Sequence, residues 1–269
     1  MLVEEVDATS LIQTINKKIS PPELYLTEGR YELKFARTQS EIDEVLRLRF
    51  EVFNLELGEG LESSLETGLD EDVYDTACHH LMVVDRATSR VIGTYRLMTA
   101  ELAGTSGFYS ASEFDLSQLP DSILSQAVEL GRACIARDHR NTSVLLLLWK
   151  GLAQYAALNN KRYFFGCCSL TSQNPLEGWA IAQQLGRNGA FHREFFVPPR
   201  PGYECALEPG AANELPETKI PKLFSAYLRF GAKVCGPPAL DRQFKTIDFF
   251  TLLDVNELSA ISRRLLFSC

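Results

Sequence analysis

The sequence predicts a single α/β domain. Strand-like runs alternate with segments of helical periodicity, neither a repeat nor a linker divides them, and the composition is that of an ordinary globular core. Apolar residues make up 45% and charged residues 23% of the 269 positions, which suits one large domain and argues against extended disorder.

The elements follow in chain order. Residues 1–30 form an N-terminal extension whose weak amphipathic stretch (Leu11, Ile12, Ile15, Ile19) stops at Pro21 and Pro22. Tyr31 to Ala36 alternates polar and apolar side chains, the period of a half-buried strand. Thr38, Ser40 or both cap a helix whose apolar positions are Ile42, Val45, Leu46, Leu48 and Phe53. The acidic segment from Glu56 to Asp75 contains three glycines and little periodicity, so it is expected to be a loop. Strands at 81–85 and 91–97 flank Arg86 to Ser89 as an antiparallel hairpin. Beyond an irregular or helical stretch at 108–125, a strand at 127–135 leads through a polar turn at 137–143 into a long helix at 143–159. A strand at 162–169 and a helix near 176–186 follow. Prolines crowd residues 196–221, an irregular excursion, before a helix at 221–232 and a strand at 246–254. Leu258, Ile261 and Leu265 close the chain at helical spacing.

Several function classes are disfavoured. A net charge of −8 gives no general attraction to nucleic acid or anionic lipid, so an acidic partner must meet a local basic patch. The longest apolar run, Val144 to Trp149, is far short of a membrane span, and the N-terminus lacks the basic and apolar regions of a secretory leader. The seven cysteines are scattered without a CxxC pair, as expected of reduced thiols in the cytoplasm. Cys78, His79 and His80 lack further ligands at zinc spacing, and no metal is predicted.

The strand, turn and helix at 127–159 are the most informative segment. A helix N-terminus offers unpaired N–H groups and positive partial charge to a phosphate, and Arg137, Arg140, Thr142 and Ser143 add donors there. A solvated turn capped by Thr or Ser is the plain alternative. No Walker-type lysine motif accompanies the turn. Glu129 and Arg132 stand three apart in one strand, on opposite faces unless a bulge intervenes, and a structural ion pair would also explain them. Asp70, Glu71, Asp72 and Asp75 are either solvated surface or receptors for an ammonium group. No G-x-S-x-G elbow supports a catalytic triad, and Cys134, Cys167 and Cys168 lie in strands as inert core thiols.

Taken in order, these residues resemble a known family. Leu46 to Phe53 with Arg49 four residues before Phe53, Asp72 with Asp75, His80-Leu81, Gly93 to Leu97 and Glu129 to Arg132 resemble the GNAT-fold skeleton shared with acyl-homoserine-lactone synthases. A closer resemblance is to the N-acyltransferases of ornithine-lipid synthesis, often labelled hemolysin-like. It rests on Gly107 to Leu116, Leu147 to Gly151, Gly166 to Ser169, Ala226 to Lys233, and Asp241 with Phe244, Thr246 and Asp248. These blocks span roughly 31–254, as one set.

The resemblance implies a GNAT fold, a twisted mixed sheet flanked by helices. It also implies transfer of a long-chain or 3-hydroxy fatty acyl group from the phosphopantetheine thioester of acyl carrier protein to the α-amine of an amino acid, ornithine foremost. No tightly bound cofactor is expected. The pantetheine arm would enter between strands 127–135 and 162–169, with Arg137, Arg140, Thr142, Ser143 and Lys150 meeting its phosphate, and Arg137, Arg140, Lys150, Lys161 and Arg162 forming the patch for the acidic carrier. Arg140, where a glycine is common in the fold, favours a carrier phosphate over coenzyme A. Glu129 is the expected base, Asp75 or Asp72 positions the amine, and Arg96 and Arg132 hold the acceptor carboxylate or brace the acidic loop. Arg49 organises that loop, while Phe53, His80 and Ser169 complete the substrate site. The excursion at 196–221 is expected to line or cap an acyl tunnel, or to be a surface loop. The terminal helix, with Arg263 and Arg264, either touches the inner face of the membrane or packs on the domain. Acylation of glycine or another amine, signal synthesis, and a non-catalytic carrier- or lipid-binding module remain open alternatives. Signal synthases carry a tryptophan soon after the Arg/Phe pair, where this chain has Leu55 and Leu57.

Overall fold

The computed structural model describes residues 20–208 and 215–267, so the predicted amphipathic stretch at Leu11 to Ile19 lies outside the described residues. Nine strands form one sheet: β1 (Leu26–Glu28), β2 (Tyr31–Phe35), β3 (His79–Asp85), β4 (Arg90–Thr99), β5 (Ala127–Ile135), β6 (Tyr163–Leu170), β7 (Lys233–Val234), β8 (Ala239–Asp241) and β9 (Thr246–Asp254). Their order is β1-β2-β3-β4-β5-β6-β9-β7, with β8 also paired to β9. Every pairing is antiparallel except β5 with β6. A parallel pair needs a crossover, and α2 (Thr142–Leu158) supplies it. The other long helices are α1 (Gln39–Phe50), α3 (Pro175–Arg187), α4 (Lys222–Arg229) and α5 (Ala260–Phe267).

Strand alternation sorts the core into two layers. Leu33, Leu81 and Val83 face α2, whereas Met82 and Val91 face α1 through Val45, Leu48 and Val52. Thr38 caps α1 in a reciprocal capping box with Glu41, so Thr38 rather than Ser40 is the start signal. Beyond Phe50 the helix widens into a π-helical turn, Glu51–Glu56, which carries Phe53 inward. The supposed loop at 56–75 is therefore partly ordered, with a further short helix at Ser64–Thr67. At α2 the cap is Asn141, whose side chain accepts from Val144 N; Thr142 and Ser143 are exposed in the first turn. Gly151 on α2 allows close approach, because a Cβ there would stand 2.8 Å from Leu33 Cδ1. On the far half of the sheet, α3 buries Ile181 and Leu185 against Ile247 and Phe249.

The excursion at 196–208 seals the opposite face. Val197 N donates to Cys235 O, and Phe114 bridges Pro199. The terminal helix α5 buries Leu266 and is preceded by buried Leu258, but Ile261 is 82% exposed. Among the described residues no helix is long and apolar enough to cross a membrane.

Strands β5 and β6 hydrogen-bond only over Ala127–Glu129 and Tyr163–Phe165, then splay apart. At the apex Gly166 touches the backbone: an added Cβ would lie 2.2 Å from Leu130 O. Gly166→Ala is expected to lose about 1–3 kcal/mol of stability or more by forcing the strands apart, read as a lowered urea midpoint.

Candidate active site

A bulge in β5 decides where its charges point. Arg96 pairs with Gly131 and Thr94 with Cys134, so Tyr95 alone on β4 opposes both Arg132 and Ala133. Arg132 takes the extra step in the left-handed region, φ 48°, at a cost of about 1–2 kcal/mol for a non-glycine residue. The alternation is thereby reset, and Glu129 and Arg132 line one cavity together with Arg96. They do not form the ion pair that their spacing also allowed; each is held by other partners.

Arg132 belongs to a buried network of three arginines and three aspartates. Arg49, fully buried, donates from Nε to Asp70 (2.8 Å) and from Nη1 and Nη2 to Asp75 (2.6 and 3.0 Å). Arg96 Nη1 reaches Asp72 at 2.6 Å and Asp75 at 3.1 Å. Arg132 Nη2 donates to Asp72 at 2.9 Å, and its Nε lies 3.3 Å from Asp70. Burial alone would raise the Asp75 pKa, but Arg49 and Arg96 override it and hold that carboxyl well below the usual range. His80 fastens the same loop. Its Nε2–H donates to Asp75 O at 3.0 Å, and burial lowers its pKa, so the ring is neutral. Asp72, Asp75, Arg49 and His80 stand behind the cavity rather than on its wall. Arg49 contacts the acidic segment at Asp70 and Asp75. Asp72 and Asp75 face arginines, not an open space for an amine.

Glu129 anchors another segment. Its Oε2 accepts from Tyr109 N (2.8 Å) and its Oε1 from Ser110 N (2.6 Å) and Ser110 Oγ. The ring of Tyr109 is thereby set beneath the guanidinium groups of Arg96 and Arg132, 5.3 and 5.0 Å from its centroid. Burial raises the Glu129 pKa despite these donors.

The splay between β5 and β6 opens into a cavity of about 580 Å³, within the usual range for a ligand site. One arm is apolar, walled by Trp149 and Leu152 of α2, Tyr227 of α4, and Leu258, Leu266 and Phe267 at the chain's end. The other arm is polar, with Glu59, Ser169, Thr171 and Asp248. Phe53 stands between them, edge-on to Phe244, over which Arg132 lies 4.2 Å from the centroid. Of the described residues of the 196–221 excursion, only Pro221 reaches this wall. The roof is instead the helix that follows, α4, because Leu223, Tyr227 and Phe230 project toward α2.

The polar arm carries residues that spacing did not single out. Burial pushes Glu59 up to about 7, against the hydroxyl of Thr171 that donates to it. Burial likewise pushes Asp248 up to about 6, against donation from Ser169 Oγ and from Thr246 Oγ1 (2.8 Å). Behind Asp248 lie Glu113 and Asp241, one oxygen from each of the three within 4.8 Å of the others.

At the turn after β5, Arg140 reaches the cavity rim and is clamped by Glu56, 2.6 and 2.8 Å from its Nη atoms. Arg137 is exposed and lines a separate groove with Glu51 and Arg90, and Lys150 is half-buried on α2.

Comparison with known proteins bears on this geometry. Residues 48–150 match the family model of the acetyltransferase (GNAT) domain. The chain is 30% identical over 279 residues to an L-ornithine N(alpha)-acyltransferase of Rhizobium meliloti (strain 1021), covering 96% of this chain and 94% of that protein. It is 33% identical to one of Rhodobacter capsulatus, covering 85% and 92%. The chain belongs to the L-ornithine Nα-acyltransferase family. Among solved structures, FeeM, an N-acyl amino acid synthase from uncultured soil microbes, superposes with a TM-score of 0.50 at 11% identity, covering 86% of this chain and 95% of FeeM, a likeness of fold.

For this N-acyltransferase the cysteines of the splay are core thiols. Cys168 is pushed by burial up to about 12, and Cys167 is raised well above its ordinary value. The signal that would have found the polar arm was present: Asp248 is a lone charge within the apolar run Ile247 to Leu253, costly unless used.

Removing one partner from the arginine–aspartate network leaves buried charge uncompensated. Arg49→Met is expected to cost about 3–5 kcal/mol in chemical denaturation. Because the Asp75 pKa is depressed in the folded state, its contribution is complete above about pH 4 and fades as pH falls below that. Acid titration of stability should show this loss in the wild type.

Proposed function

We propose that this enzyme transfers a long-chain or 3-hydroxy fatty acyl group from the phosphopantetheine thioester of acyl carrier protein to the α-amine of ornithine, giving a lyso-aminolipid. The observation that carries this reading is the two-armed cavity at the β5/β6 splay. An apolar arm suits an acyl chain and a polar arm suits an amino acid. The family relatives are named for Nα-acylation of ornithine.

The chemistry is direct aminolysis. The α-ammonium first gives a proton to Glu129, whose Oε2 retains acceptor capacity beside its bond from Tyr109 N. The neutral amine attacks the thioester carbon, the C–N bond forms, and the C–S bond breaks. The second proton of the attacking nitrogen passes to the departing pantetheine sulfur, leaving an amide and a free thiol, and Glu129 releases the first proton to solvent. Backbone N–H groups of β5 beyond Glu129, freed from pairing with β6, are available to the developing oxyanion. Arg96 and Arg132, held by Asp70, Asp72 and Asp75, present fixed positive charge to the acceptor carboxylate. Asp72 and Asp75 thus act through the arginines.

The carrier docks on the turn of Arg137, Arg140, Thr142 and Ser143, with Lys150 extending the patch. Arg140 exchanges Glu56 for the phosphate at the N-terminus of α2. The enzyme works in the cytoplasm at the inner face of the membrane, where α5 offers exposed Ile261 and the product's chain can leave.

The purified protein, given long-chain acyl carrier protein and the common amino acids with acyl-CoA in parallel, is expected to yield N-acylornithine from the carrier thioester, detected by mass spectrometry. No product from either donor refutes the reading. Glu129→Gln should lower kcat about 10²-fold or more while the melting temperature shows the turn at Tyr109 still anchored. Leu223→Trp, which fills the apolar arm, should shift preference toward shorter acyl chains in a competition among donors.

A further inference from the structure

The molecule holds two buried groups of carboxylates, and they differ in one respect. Asp70, Asp72 and Asp75 are matched by three arginines. Glu113, Asp241 and Asp248 are 1%, 5% and 3% exposed, and among the described residues no basic side chain forms an ion pair with them. Arg132 acts on this second group from a distance, its own nitrogens directed at Asp70 and Asp72.

Hydrogen bonds account for only part of the acceptor capacity there. Asp241 Oδ1 accepts from Gln243 N (2.8 Å) and Phe244 N (2.9 Å), and Tyr109 OH lies 3.5 Å from its Oδ2. Asp248 takes the hydroxyls of Ser169 and Thr246. Glu113 has Cys167 Sγ 3.9 Å from its Oε2 and interacts with the Tyr109 hydroxyl, but its buried Oε1 has no hydrogen-bond partner. A fully buried carboxylate oxygen without a donor costs free energy that a bound donor would offset.

We propose that Glu113, Asp241 and Asp248 form the receptor for the side-chain ammonium of a basic amino acid acceptor, and so select it over neutral amino acids. This assignment rests on the amino acid N-acylation proposed above. Three carboxylates, one oxygen of each within 4.8 Å of the others, match the three N–H donors of an ammonium. The site suits the side-chain nitrogen and not the α-amine. Anions hold an amine protonated, which a spectator tolerates and a nucleophile does not. Asp248 opens onto the polar arm, so an acceptor whose α-amine lies near Glu129 extends its side chain this way.

Proton linkage supplies an independent readout. Burial, then repulsion from Asp248 and Asp241, raises Glu113 well above its ordinary value, and Asp248 and nearby Glu59 are raised to about 6 and about 7. An arriving ammonium lowers all three, so its binding releases protons near neutral pH.

The test compares wild type with Glu113→Gln, Asp241→Asn and Asp248→Asn, each checked by thermal melt; if one fails to fold, the others carry the comparison. The ratio of kcat/KM for ornithine over norvaline, its neutral counterpart, is expected to fall at least 10-fold in the variants. Calorimetry of ornithine binding at pH 6.5, in buffers of different ionisation enthalpy, is expected to show proton release that is smaller in Asp248→Asn. If wild type acylates ornithine and the variants keep its preference, the receptor is overturned while the reaction stands. If wild type acylates nothing, the reaction fails and calorimetry decides the receptor. Ornithine binding with proton release that Asp248→Asn diminishes supports it, and absence of binding, or magnesium bound in ornithine's place, overturns it.

Discussion

Three guanidinium groups shared among three carboxylates, all out of water, are the constraint on which the site depends. Arg49 comes from α1, Asp70, Asp72 and Asp75 from the segment before β3, Arg96 from β4 and Arg132 from β5. Four stretches of chain must therefore arrive together before any of these charges is compensated. Such a network gives less net stability than its short distances suggest, because desolvation opposes the attraction. Its effect is positional: it fixes the faces from which Arg96 and Arg132 look into the cavity.

The same logic explains why the two acidic clusters behave differently. Where arginines answer Asp72 and Asp75, those carboxyls are held below their ordinary range and take a structural part. Where none does, burial and repulsion raise Glu113 and Asp248, and a cation from solution gains what the protein withholds. One protein thus holds carboxylates of opposite tendency on the two sides of Phe244 and Arg132.

Much of the fold was legible because it follows periodicity. The bounds of β5 and β9 match their apolar runs, and α2 falls within a residue of its expected span. The GNAT fold and the N-acyltransferase family were legible through Arg49, Phe53, Glu129 and Arg132 with the later blocks, since those residues keep an ordered spacing. What periodicity cannot register is a change of period. The bulge at Arg132 and the π-turn at Glu51–Glu56 each shift the phase of the side chains beyond them, so the cavity-facing side was unreadable from spacing. The acid cluster was hidden for another reason. Glu113, Asp241 and Asp248 lie in separate segments that only the antiparallel closure of β8 and β9, and the turn anchored by Glu129, bring together. Whether the proline-rich excursion lines the cavity or is a surface loop was not legible, because irregularity in sequence says nothing of which face a segment covers; of its described residues only Pro221 reaches the wall.

The backbone at Arg132 has one more consequence. Its conformation suits glycine, whereas its side chain is required by Asp70 and Asp72. A glycine there would relax the strand yet leave two aspartates short of a partner, and neutralising either aspartate alone would take from the arginine one of its two carboxylates. No single replacement improves matters, so these three positions are bound in mutational drift: they change together or stay as they are.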